Sequence, residues 1–232
     1  MQVSLARPVP RVLPAAGIAA GPLFLAAGLT QGLTRDGFDF SRNALSQLSL
    51  GTLGWIQVTV FLLTGLLVIG GAIAVRQALR DTPGGTWAPR LLGVFGASFL
   101  LAGFFPADPG AGFPAGAPED RVARLSAHGT VHMVAGTVGH LALCAAFLVL
   151  ARHFAARRQR GWAVAARLVP VGVLAGFAAS ATTVAAFTAG AGLGLLGLSA
   201  VTARLTVTAR PPRPAAHRND TRTVAARQET SA

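Results

Sequence analysis

The sequence predicts an all-α membrane protein, a bundle of six transmembrane helices whose N-terminus and C-terminus both lie in the cytoplasm. Three observations predict this fold. Hydrophobic residues make up 52% of the 232 residues and charged residues only 12%, whereas soluble domains are about 25% charged. The apolar residues are gathered in runs of about 20, the length that crosses a bilayer. The arginines alternate between the two sides of these runs.

Six apolar segments follow one another along the chain. They are residues 14–33, 54–75, 89–105 and 127–150, and two helices that share residues 162–205. The shared stretch holds 44 residues, too many for one span at about 1.5 Å of rise per residue. We expect it to break at 180–186, where SATTVAA is its most polar part. Arg7 and Arg11 also suit a signal peptide, but no small-residue cleavage site follows, which favours an uncleaved first helix.

The arginines predict which ends of the helices face the cytoplasm. All twenty basic residues are arginine, and basic residues beside a span favour the cytoplasmic side. With the N-terminus inside, sixteen arginines fall inside and four fall outside. The four are Arg35, Arg42, Arg121 and Arg124. The alternation holds at every connection and predicts a cytoplasmic segment 1–13, a membrane domain 14–205 and a cytoplasmic tail 206–232.

The net charge of +12 also bears on partners and location. The tail is rich in Pro and Arg without apolar periodicity, so we expect it to be disordered beside anionic lipid. Because the chain has no soluble domain to present a DNA-binding surface, its expected partners are membrane lipids and not nucleic acid. Arginine without lysine, together with abundant Ala and Gly, is typical of a GC-rich bacterial genome. The predicted location is the plasma membrane of a bacterium.

Two local patterns predict packing and not chemistry. The sequence Gly192–Gly197 matches G-x-G-x-x-G, but a dinucleotide site needs a preceding strand and a later acidic residue. Here the motif lies inside an apolar run, which indicates glycines at a helix–helix contact. Cys144 is the only cysteine, so internal disulfides and cysteine-rich metal clusters are excluded. Its apolar neighbours predict a small buried side chain.

Two long loops on the predicted outer side carry polar residues. In the first, residues 34–53, we expect a short helix over 44–50, capped by Ser41 or Asn43. In the second, residues 106–126, Asp108 stands between prolines at the end of a span. A carboxylate fixed in this way is a plausible ligand or base.

Histidines at the predicted outer end of the fourth span carry the strongest chemical signal. His128 and His132 are four residues apart and share a helix face. This spacing can hold a metal ion or haem, take part in acid–base chemistry, or simply form hydrogen bonds at a helix start. The Glu of a zinc-protease H-E-x-x-H motif is absent. His140 lies about two turns deeper, where ionisable groups usually face the bundle interior.

Four stretches together carry a family resemblance. They are FDFSRNALSQLSLGTLGWIQ, FFPADPGAGFPAGAP, SAHGTVHMVAG and FAARRQRGWA. Over residues 14–205 the chain resembles the actinobacterial branch of the bacterial membrane family called domain of unknown function 998. The resemblance implies a six-helix fold without assigned activity, with polar positions at Arg42, Ser46, Asp108, His128 and His132. The region of the last two spans and the Arg-rich tail depart from the family.

The leading functional hypothesis is non-enzymatic. An outward-facing polar pocket lined by Arg42, Ser46, Asp108, His128 and His132 would bind a lipid or small ligand. The alternative is a zinc-dependent hydrolase acting on a lipid at the outer leaflet, with zinc held by His128, His132 and Asp108. The metal would lower the pKa of a bound water toward about 7, and Ser46 would orient the substrate. This idea draws on a likeness in residue types to the ceramidase and progestin-receptor superfamily.

A second alternative is a transporter. It is less favoured, because the spans lack the paired buried charges that proton and ion relays commonly use.

Overall fold

A computed structural model describes residues 12–120 and 125–208 of the chain. They form six α-helices and one short 3-10 helix. The helices are α1 (Val12–Thr34), α2 (Gly54–Ala78), α3 (Trp87–Phe104), α4 (Ala127–Ala156), α5 (Arg160–Ala179) and α6 (Val184–Thr208), and the 3-10 helix is η1 (Leu45–Ser49). All six α-helices are long and apolar enough to cross a membrane, which confirms the predicted number of spans.

The predicted boundaries agree with the observed helices to within a few residues. The shared apolar stretch breaks at 180–183, inside the predicted interval of 180–186. The fourth helix is longer than predicted and continues to Ala156. The predictions for the N-terminal segment and the Arg-rich tail lie outside the described residues, apart from the overlap with the ends of α1 and α6. Arg121 and Arg124 lie outside them as well.

Each helix packs against its neighbours in sequence, and α6 returns to α1 to close the bundle. The contact between α4 and α6 is slight by comparison. The connections divide into two groups at opposite ends of the bundle. We call the end with residues 35–53, 105–120, 125–126 and 180–183 the long-loop end. We call the end with residues 79–86 and 157–159 the short-turn end.

Glycines set the closest approaches between helices. Gly17 of α1 lies against the backbone of Gly71 of α2, and a Cβ on either residue would collide with the other. The glycine motif of α6 serves the same purpose, because Gly192 and Gly197 face side chains of neighbouring helices, among them Phe147. Since all these glycines lie within helices of one bundle, the interpretation of the motif as a packing element is confirmed.

The 3-10 helix η1 covers the long-loop end of the bundle. Leu45 and Leu48 are buried there, so the predicted short helix is present although it has 3-10 geometry. The predicted caps are wrong. The N-cap is Ala44, whose N–H donates to the Gln47 side-chain oxygen at 3.1 Å.

Asn43 is buried and holds the two long loops together. Its side-chain nitrogen lies 3.4 Å from the carbonyl oxygen of Gly110 and 3.3 Å from that of Ala111. Ser41 instead donates from its N–H and hydroxyl to the carboxylate of Asp39. These loop contacts explain why neither side chain caps η1.

Candidate functional site

A cavity of about 90 Å³ lies in the half of the bundle nearest the long-loop end. It is enclosed by α1, α2, α3, α4 and α6 and covered by η1. Its walls are almost entirely apolar, with rings of Phe24, Phe61, Phe99 and Phe187 among them. Five polar side chains interrupt the apolar surface. They are Ser46, Ser98, His132, His140 and Thr188.

His132 is fixed at the outer part of the cavity. Its side chain is buried, and its Nδ1 lies 2.9 Å from the carbonyl oxygen of Phe105, just beyond the end of α3. The imidazole also meets the ring of Phe61 edge to face at 5.9 Å between centroids. These contacts join the start of α4 to the end of α3 and orient the ring.

His140 lies two turns deeper on α4 among aromatic rings. Its ring centroid is 5.6 Å from that of Phe95, 5.2 Å from that of Phe177 and 5.8 Å from that of Phe187. Nδ1 lies 2.8 Å from the carbonyl oxygen of Gly136. In a neutral ring that donates from Nδ1, the Nε2 atom is an acceptor. No side chain or backbone group of the described residues is found bonded to Nε2, which is therefore available to a ligand donor.

Hydroxyl groups supply the remaining polar positions. Ser98 donates to the carbonyl oxygen of Phe95 at 2.7 Å and packs directly on Gly139, where a Cβ would collide with it. The hydroxyl of Thr188 is enclosed and has no hydrogen-bond partner within the described part of the chain. A few polar groups in an apolar cavity fix the orientation of a ligand. An unpaired buried hydroxyl favours a ligand that can bond to it.

The structure brings together only part of the predicted site. Ser46 and His132 line the cavity, whereas Arg42, Asp108 and His128 do not. Arg42 lies on the loop surface and forms an exposed ion pair with Glu119 at 2.8 Å. The hydrogen bond from Arg42 to that carboxylate raises the pKa of the guanidinium.

Asp108 organises the start of α4. Its carboxylate accepts from the N–H of Ser126 at 2.9 Å and from the Ser126 hydroxyl at 2.6 Å. The Ser126 hydroxyl in turn accepts from the N–H of Gly129 at 2.9 Å and caps the helix. A Cβ at residue 129 would collide with the carboxylate. Because a negative charge at a helix N-terminus is favourable, this arrangement is structural.

The predicted zinc ligands are not assembled. Among residues 12–120 and 125–208, no three His, Cys, Asp or Glu side chains are grouped so that they can hold a metal ion. Asp108 is engaged with Ser126, and His132 points into the bundle toward Phe105. His128 is exposed, and its ring meets that of Phe105 edge to face at 5.3 Å between centroids. The zinc alternative therefore lacks its three-ligand geometry in this fold.

Arg35 is a structural residue that the sequence did not single out. Its guanidinium donates to the carbonyl oxygens of Leu48 and Leu50, at the C-terminal end of η1. It also lies over the ring of Phe113 in the second loop, 4.9 Å from the centroid. Partial burial lowers the pKa of Arg35. The only sequence signal was its position directly after an apolar span.

Two glutamines form a second buried polar contact that the sequence did not reveal. The Gln31 amide nitrogen of α1 donates to the Gln57 amide oxygen of α2 at 2.7 Å. Both side chains are buried, and the remaining oxygen of Gln31 and nitrogen of Gln57 have no partner within the described residues. The pair lies one turn above Phe61, next to the cavity and not in its wall.

Comparison with known proteins identifies a family without revealing an activity. Residues 18–210 match the family model described as "Protein of unknown function (DUF998)". No curated protein matches the chain, and no solved structure matches it. The match covers most of the sequence and all the residues that line the cavity. The chain therefore belongs to the DUF998 family of proteins of unknown function.

Proposed function

We propose that this protein binds a neutral, lipid-like molecule whose apolar chain enters the cavity between α1, α3, α4 and α6. The observation that carries the proposal is the cavity itself, an apolar space at membrane depth with polar groups at a few fixed positions. The acceptor at His140 and the unpartnered hydroxyl of Thr188 suit a ligand with one hydroxyl or ester group. A long-chain alcohol has this chemistry.

The absence of charge in the cavity wall argues for a neutral ligand. None of the residues lining the cavity is Asp, Glu or Arg. A carboxylate or phosphate drawn into this space would leave water without a counter-charge, which is costly. A hydroxyl group needs only hydrogen bonds.

The size and position of the cavity argue for a partly enclosed chain. Its volume of about 90 Å³ is below the roughly 150 Å³ of an engineered cavity that binds benzene, so a whole lipid does not fit. Since the cavity holds only part of a long chain, the rest of the chain must lie outside it, in the bilayer. The ligand would then share its length between protein and lipid.

The long-loop end faces the outside of the cell in this proposal, and both termini lie in the cytoplasm. The arginine distribution supports this orientation, since the short-turn end carries most of the described arginines. The use of arginine without lysine and the abundant Ala and Gly support a bacterial plasma membrane. The resemblance of the four quoted stretches supports the actinobacterial branch of the family.

A thermal-shift experiment with a cavity-filling variant tests the binding proposal. A Cβ at Gly136, in the cavity wall, would meet open space, so Gly136→Leu should fill the cavity without a collision. Gly93→Leu is the matched control, because a Cβ at Gly93 also meets open space but outside the cavity. In nanodiscs, dodecanol should raise the Tm of the wild type and of Gly93→Leu but not that of Gly136→Leu.

Dodecane, which has the chain without the hydroxyl, separates polar from apolar recognition. We expect it to raise the Tm less than dodecanol, and we expect His140→Phe to abolish the difference. If dodecanol raised the Tm of the wild type and of Gly136→Leu equally, the proposal would be contradicted, because both increases would then reflect a change in the bilayer.

A further inference from the structure

A second cavity lies at the opposite end of the bundle. It has a volume of about 40 Å³ and lies between the ends of α2, α4 and α6 and the turn 157–159. This is room for roughly three water molecules at about 10–15 Å³ each, or for one small polar group. Unlike the first cavity, its wall contains His153, Arg157 and Gln159.

Two of the residues that line this cavity carry hydrogen-bond acceptors without a partner in the described part of the chain. His153 is only 4% exposed, and its Nδ1 lies 3.2 Å from the carbonyl oxygen of Pro83. A ring that donates from Nδ1 leaves Nε2 as an acceptor, and no hydrogen bond to it is found within the described residues. The side-chain oxygen of Gln159 is also buried without a partner there. Unpaired acceptors in the wall of one cavity favour a ligand that brings an O–H donor.

An arginine lines the same cavity. Arg157 lines it and has no carboxylate partner among residues 12–120 and 125–208. The helix α5 begins at Arg160, its N-cap Gln159 forms no side-chain cap, and its first turn has no acidic residue. The first N–H groups of such a helix attract anions. The cavity thus combines unpaired acceptors with one arginine, and its lining residue Gln159 directly precedes the N-terminus of α5.

We propose that this cavity binds a phosphate ester that carries a free hydroxyl, the chemistry of a glycerophosphate headgroup. Arg157 and the first N–H groups of α5 hold the phosphate at the rim. A hydroxyl of the glycerol unit enters the cavity, which His153 also lines, and donates its one hydrogen to the side-chain oxygen of Gln159. Phosphatidylglycerol satisfies both requirements, whereas phosphatidylethanolamine carries an ammonium that the arginine repels. This site is independent of the apolar cavity at the long-loop end.

Native mass spectrometry of the detergent-purified protein, titrated with single lipids, tests the proposal. We expect phosphatidylglycerol to bind about tenfold or more tightly than phosphatidate or phosphatidylethanolamine. Arg157→Gln should lower the affinity for phosphatidylglycerol by about tenfold. Gln159→Leu should remove the preference over phosphatidate while the affinity for phosphatidate stays the same.

Arg152→Gln is the matched control, because Arg152 is an exposed arginine of α4 outside the cavity. It should leave phosphatidylglycerol binding unchanged. The proposal would be overturned if Arg152→Gln and Arg157→Gln lost equal affinity for phosphatidylglycerol. It would also be overturned if the wild type bound phosphatidylglycerol and phosphatidate equally tightly.

Soluble glycerol phosphate separates the two sources of this headgroup. Binding as tight as that of the lipid identifies a soluble ester, and binding at least about a hundredfold weaker identifies the lipid.

Discussion

His132 Nδ1 and the carbonyl oxygen of Phe105 are 2.9 Å apart, which joins the first turns of α4 to the end of α3. The same imidazole lines the apolar cavity. One hydrogen bond therefore links the closure of the long-loop end to the shape of the candidate site.

The two histidines of the H-x-x-x-H pair should differ sharply in their effect on stability. His132→Phe keeps the ring but leaves the carbonyl of Phe105 unpaired, so we expect a loss of about 1–3 kcal/mol. His128→Phe retains an exposed edge-to-face ring contact with the same Phe105 and should change stability by less than about 0.5 kcal/mol. Thermal unfolding in detergent measures both. Similar losses in the two variants would contradict the structural role assigned to His132.

Asp108 should be needed for the start of α4 and not for ligand binding. Asp108→Asn weakens both hydrogen bonds to Ser126 and removes a charge at the helix N-terminus, so we expect a loss of about 1–2 kcal/mol. Asp36→Asn, a change of the same kind at an exposed loop position, is the control and should leave the Tm unchanged. If the Tm of Asp108→Asn without ligand equals that of the wild type but dodecanol no longer raises it, Asp108 contacts the ligand instead.

Arg35 and Arg42 lie in one loop but should respond differently to the same substitution. Arg35→Lys cannot donate to two carbonyls while covering the ring of Phe113, so we expect a loss of about 1.5–3 kcal/mol. Arg42→Lys affects only an exposed ion pair, and its effect should stay below about 1 kcal/mol. Limited proteolysis of the loop, together with Tm, checks the prediction. If the loop were equally resistant to proteolysis in the two variants, the prediction would be wrong.

The Gln31–Gln57 pair should be strongly non-additive. Gln31→Leu leaves Gln57 buried without its partner, and Gln57→Leu leaves the Gln31 amide nitrogen only its hydrogen bond to the carbonyl oxygen of Ala27 at 3.2 Å. We expect each single change to cost about 1–3 kcal/mol. The double variant removes both polar groups and should be close to wild type or more stable. A double-mutant cycle in detergent measures the coupling. Additive losses would mean that the two amides do not depend on each other.

The architecture could be predicted because the bilayer imposes it on the sequence. Runs of apolar residues had to match the membrane thickness, and the polar sequence SATTVAA marked the break between α5 and α6 correctly. Neither argument requires knowledge of tertiary contacts.

The site could be predicted only in part, because helices that are apolar on all sides do not reveal which face turns inward. Ser46 and His132 line the cavity, but His128 is exposed although it is four residues from His132. The carboxylate of Asp108 accepts a hydrogen bond from the hydroxyl of Ser126, at the opposite end of the same loop. Ser98, His140 and Thr188 meet at the cavity from three different helices, and no local spacing relates them.

Photolabelling with a diazirine-bearing long-chain alcohol tests the central claim most directly. In nanodiscs, mapped cross-links should concentrate on the cavity wall at Gly136, His140 and Phe187. They should disappear there in Gly136→Leu and persist in Gly93→Leu. Labelling confined to exposed positions such as Val134 and Val138, and unaltered in Gly136→Leu, would show that the cavity takes up no chain.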